Sequence, residues 1–87
     1  MENNKVKISN KFKAIYMISR LGACQVIKEG KYFKYLFEKT DEGKKANDDF
    51  NEARNGKELM VNVADMIQAS YKLSKLINNY INENKRD

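Results

Sequence analysis

The chain has 87 residues, with 17 Lys and Arg against 12 Asp and Glu, a net charge of +5 and no histidine. Without histidine there is no Ser-His or Cys-His nucleophile pair and no histidine-bearing zinc site. A single cysteine, Cys24, excludes an internal disulfide and an all-cysteine zinc site within one chain.

A chain of this length is expected to fold as one domain, 1–87, with residues 1–4 and 82–87 frayed. Its core is small and leaves little volume for a deep substrate pocket. A site is therefore expected on a surface, in a shallow groove or at a dimer interface. No run of about eighteen apolar residues is present, and Met1 to Lys7 carry no apolar signal segment. The lone thiol suits a reducing compartment, so the expected location is cytoplasmic, without membrane contact. Cys24 itself is expected to pack as a small buried hydrophobe. Residues 1–39 carry nine Lys and Arg against three acidic side chains. That local excess is the compositional hint of an anionic partner.

In chain order, Lys5-Val6-Lys7-Ile8 alternates charged and apolar residues, the period of a half-buried strand. Ser9 or Asn10 caps a helix that runs to Leu21, with Ala14, Ile15, Ile18 and Leu21 on one face and Met17 flanking. Gly22 stands where a left-handed residue commonly stops a helix. The period then changes to alternation, predicting strands over 23–28 and 31–38 with a tight turn at Glu29-Gly30. Phe33, Tyr35 and Phe37 share one face of the second strand, which makes that face the core face. Tyr32, Lys34, Leu36 and Glu38 take the other.

Thr40 or Asp41 caps a second helix, whose first turn Gly43 weakens. Ala46, Phe50 and Ala53 give it a narrow apolar stripe, and Asn55-Gly56 ends it. A long last helix starts near Asn62, with Asp65 three residues on. Met66, Ala69, Leu73, Leu76, Ile77, Tyr80 and Ile81 follow its main stripe. Beside that stripe Val63, Ile67, Tyr71 and Ser74 form a flank, explained either by core packing or by a homodimer through this helix. The expected class is α+β, in the order (β)αββαα: a small antiparallel hairpin or three-stranded sheet packed against three helices. The expected core is Ile15, Ile18, Leu21, Phe33, Tyr35, Phe37, Phe50, Leu73 and Ile77.

Little in the chain carries catalytic chemistry. Asp41, Glu42, Asp48, Asp49 and Glu52 form the one acidic cluster, but Lys44 and Lys45 stand one turn before Asp48 and Asp49. A salt-bridged, solvated helix face accounts for it better than a metal site, and Glu52 alone lacks such a partner. The four glycines are scattered singly, so no phosphate-cradling loop is present. No catalytic residue, metal site or cofactor is expected. Lys28, Lys31 and Lys34 gather near the hairpin turn with Tyr32 between them, and Lys5 and Lys7 lie on the first strand. Lysines beside an exposed aromatic are the ingredients of a nucleic-acid surface. Lysine on an edge strand also serves simply to block aggregation.

The stretch KAIYMISRLGACQV, followed by YFKYLFEKTDEGKKANDDF, resembles a family of small domains of unknown function found mostly in phages and mobile elements. The matching positions are Tyr16, Leu21-Gly22, Phe33 to Glu38 and Thr40-Asp41, within residues 8–55. The resemblance implies the element order and a phage-like origin, and no activity. The expected function is a small non-enzymatic binding protein that contacts nucleic acid, or a host protein that handles it. For nucleic acid the residues would be Lys5, Lys7, Lys28, Lys31, Tyr32 and Lys34. The alternative is a protein-binding inhibitor or adaptor, such as a phage factor that blocks a host defence enzyme.

Overall fold

A computed structural model describes residues 5–84. Its elements are β1 (Lys5–Ile8), α1 (Lys11–Leu21), β2 (Gln25–Glu29), β3 (Tyr32–Glu38), α2 (Asp41–Arg54) and α3 (Val63–Glu83). The α+β class and the order β-α-β-β-α-α are those the sequence predicts.

Each helix begins on a side chain that accepts from a free backbone N–H three residues on. Asn10 accepts from Lys13 for α1, Thr40 from Gly43 for α2, and Asn62 from Asp65 for α3. Gly22 stops α1 with φ of 97°, a conformation that only glycine adopts without strain. At the far end α3 continues through Asn82 and Glu83, beyond the expected start of fraying. The Asn84 side chain donates to the Tyr80 carbonyl at 2.8 Å and closes that last turn. The other residues expected to fray, 1–4 and 85–87, lie outside the described residues.

The three strands form one antiparallel sheet in the order β1-β3-β2, so the aromatic strand is central. Its hairpin partner ends at Glu29, which faces Tyr32, and the two-residue loop is Gly30-Lys31. The expected loop was one residue earlier. Gly30 has φ of 62° and Lys31 does not have positive φ, the pattern of a type II′ turn with glycine first.

Alternation along the strands sorts the sheet into two faces. Val6, Ile8, Val26, Phe33, Tyr35 and Phe37 face the helices. On the opposite face none of the residues is buried. α1 and α3 pack together against the sheet, and α2 packs on α1.

The core contains Ile18, Tyr35, Phe37, Phe50 and Leu73 as expected. Ile15, Leu21, Phe33 and Ile77 are only partly buried, and Tyr16 and Met17 take fully interior places instead. The reason lies in α1, which has neighbours on more than one side. Tyr16 packs on Phe50 of α2 with ring centroids 5.9 Å apart, and its hydroxyl accepts from Arg20. No helix among the described residues is long and apolar enough to cross a membrane.

Candidate functional site

The six residues expected to meet an anionic partner do not form one surface. Lys5, Lys7, Tyr32 and Lys34 share the uncovered face of the sheet, because each lies opposite or alternate to the core-facing positions. Lys31 sits at the rim, in the hairpin loop. Lys28 lies across from Phe33 on the helix-side face, with its Nζ 5.8 Å from the centre of that ring.

Acidic side chains on the same uncovered face occupy part of the basic group. Lys5 pairs with Glu38, its direct cross-strand neighbour. Lys7 reaches Glu29 at 2.7 Å, and that ammonium holds the Glu29 carboxyl below the usual carboxylate range. Lys34 donates to the Ser9 hydroxyl at 2.9 Å. What remains is a small patch, Lys31-Tyr32-Lys34, with Tyr32 69% exposed.

Two carboxylates of the acidic helix, Asp49 and Glu52, are also paired. Asp49 receives Arg20 of α1 at 3.1 Å and Lys45 at 3.3 Å, and these two cations hold its carboxyl below the usual range. Glu52, expected to lack a partner, is met by Lys57 at 3.1 Å from beyond the end of α2. Among the described residues no three His, Cys, Asp or Glu side chains converge to hold a metal ion.

Cys24 is half-buried, and burial pushes its thiol from the ordinary 9.0 up to about 11. At neutral pH the nucleophilic thiolate is therefore scarce. Alkylation by iodoacetamide is expected to rise with pH toward a midpoint near 11 rather than near 9. The linkage has a definite sign. The folded value lies above the unfolded one, so this group's stabilisation is complete below about 9 and lost as pH climbs to about 11. A rate that has already reached its plateau in mildly alkaline buffer would contradict the burial argument.

An apolar concavity lies elsewhere, lined by residues that the sequence reading did not select as a binding site. A groove of about 450 Å³ opens between the start of α1, the end of α2 and the α2–α3 loop. Its walls include Phe12, Tyr16, Phe50, Leu59, Val61 and Met66. Phe12 packs edge-on against Phe50 at 6.3 Å yet remains 64% exposed, and Val61 and the adjacent Met60 are also exposed.

The groove has one basic residue in its lining, with a lysine close by. Arg54 lines it, and the Lys13 ammonium lies 5.9 Å from the Phe50 ring centre while donating to the Asn51 side chain at 2.9 Å. Burial, with Arg54 nearby, lowers the Lys13 pKa from the ordinary lysine value, and Asp48 offsets part of this. Two signals in the sequence point to this place. Phe12 and Tyr16 stand one helical turn apart, off the stripe taken for the core. Leu59-Met60-Val61 is an apolar triplet in a segment bounded by Gly56 and Asn62.

No protein-family model, curated protein or solved structure matches this chain.

Proposed function

We propose that this chain is a small non-enzymatic binding protein whose partner is another protein, one presenting an apolar anchor beside a carboxylate. The observation that carries the reading is the groove. It leaves Phe12 and Val61 in water beside an apolar hollow. Exposed apolar surface rimmed by polar groups marks interaction sites, and one well-filled pocket often supplies most of the binding energy. Arg54 lines the groove and Lys13 stands near it, so a carboxylate on the partner would meet positive charge there. The resemblance to small phage and mobile-element domains read in the sequence would imply a host protein as that partner, in the manner of an inhibitor or adaptor.

A second reading keeps the nucleic-acid role at the hairpin, on the exposed Tyr32 between Lys31 and Lys34. With Lys5 and Lys7 engaged by glutamates, about two phosphate contacts remain. The slope of log affinity against log salt on single strands would then be about −1.4, against about −2 to −4.5 for three to five contacts on single strands or duplex.

The two readings separate in one experiment on nuclease-treated extract and on purified oligonucleotide. Phe12→Glu is expected to abolish capture of a defined protein partner, while the Lys31→Glu/Lys34→Glu double variant retains it. Oligonucleotide binding by wild type that the double variant loses and Phe12→Glu keeps would overturn the protein-partner reading.

A further inference from the structure

The sheet has two outer edges, and its register decides what each one offers. Glu29 and Tyr32 flank a two-residue turn, so they exchange both of their backbone hydrogen bonds. Alternation along the ladder gives the same role to Ile27 with Lys34 and to Gln25 with Leu36. The N–H and carbonyl groups of Val26 and Lys28 therefore point away from β3, along the outer edge of β2. No backbone hydrogen bond from a turn, loop or cap among the described residues reaches them.

The C-terminal part of α3 runs beside that edge. Between the two lies an open hollow of about 350 Å³, bordered by Cys24 and Val26 on one side and Leu76, Asn79, Tyr80 and Glu83 on the other. Val26 is buried, Leu76 and Tyr80 are half-buried, and Lys28 is exposed.

Val26 and Lys28 each present a donor and an acceptor, two residues apart. That is the repeat of an extended chain, so the unpaired groups specify a strand as their complement. An apolar wall alone would specify nothing. The opposite edge is poorer. β1 has four residues, and by the same alternation its outward groups belong to Lys5 and Lys7. Lysines on an edge discourage strand addition.

We propose that the outer edge of β2 takes an extended segment of a partner protein as a fourth, antiparallel strand. The segment places an acidic residue opposite Lys28 and an apolar one opposite Val26. Directly opposed side chains of antiparallel strands share a face. The apolar side chain then enters the hollow against Leu76 and Tyr80, and the acidic one stands beside the Lys28 ammonium. Lys28 enters no ion pair among the described residues. Charge favours such a segment over a second copy, which would bring a further +5. Because the strands run in opposite directions, the segment reads acidic, any residue, apolar. This surface shares no residue with the groove at Phe12.

Amide hydrogen exchange followed by NMR tests the register. In the free protein Val26 and Lys28 are expected to exchange well ahead of Ile27, whose N–H is bonded to Lys34. Selection from a displayed library of random twelve-residue peptides is expected to enrich the acidic-x-apolar pattern. A saturating enriched peptide is expected to protect the Val26 and Lys28 amides. N-methylation of its apolar residue is expected to weaken binding about tenfold, the loss of one backbone hydrogen bond. Lys28→Glu is expected to weaken binding too, with an unchanged circular dichroism spectrum. Val26 protected in the free protein as well as Ile27, a library that yields no binder, or a binder indifferent to that N-methylation would each overturn the proposal. So would a peptide that shifts Phe12 and Val61 in place of Val26 and Lys28.

Discussion

Phe37→Ala is expected to cost about 3–5 kcal/mol, the range for truncating a buried aromatic side chain. Phe37 is among the largest fully buried side chains and sits on the central strand, directly across from Val6 of β1. Its ring lies between a sheet and helices that are packed against one another, so the cavity left by truncation has few neighbours free to fill it. Domains of this kind have about 5–15 kcal/mol in total, and a small one buries a modest share of its surface. Phe33 provides an internal comparison. It shares the same strand face but is only partly buried, packed edge-on against Tyr80 at 6.0 Å. Urea denaturation of both alanine variants is expected to lower the midpoint for Phe37 well beyond that for Phe33. The denaturant slope should change little if both still unfold in one step. Equal midpoints, or a Phe37→Ala midpoint near wild type, would contradict the assignment of the core face.

Gly43→Ala is expected to destabilise the fold, although alanine favours a helix interior by about 1 kcal/mol over glycine. Gly43 lies in the first turn of α2 and is buried. A β-carbon there would stand 2.7 Å from the carbonyl oxygen of Glu38, with the Thr40 hydroxyl at 3.4 Å and Leu21 at 3.8 Å. The clashing atom is backbone, and Glu38 is held by its pairing with Lys5 at the end of β3. Relief must come from moving α2, which would disturb the Thr40 cap, whose hydroxyl accepts from the Gly43 N–H at 3.0 Å. Overpacking of this kind costs about 1–3 kcal/mol, which outweighs the propensity gain. Thermal unfolding settles the sign: a melting temperature at or above wild type would contradict the close approach.

The elements were legible because their signals are local. Asn10, Thr40 and Asn62 cap helices with their own side chains, and Gly22 and Gly30 take positive φ where the chain must turn. The aromatic face of β3 could be read from alternation alone. What the sequence hid depends on contacts between distant segments. Gly43 looks like a weak helix start until β3 is brought against it. Tyr16 and Met17 lie off the stripe of α1 that a helix with one neighbour would bury. The lysine cluster shrinks to Lys31, Tyr32 and Lys34 for the same reason, since Glu29 and Glu38 become neighbours of Lys7 and Lys5 only in the three-stranded register. The groove joins Phe12, Phe50 and Val61 from three segments, and no spacing rule connects them.

Photo-crosslinking from single positions in intact cells tests the central claim most directly. A benzophenone side chain placed at Phe12 or at Val61 is expected to give the same discrete protein adduct, insensitive to nuclease. The same probe at Tyr32, on the far face of the sheet, is expected to give none. Nuclease-sensitive adducts from position 32, with positions 12 and 61 silent, would contradict the claim that this protein works by holding another protein in its apolar groove.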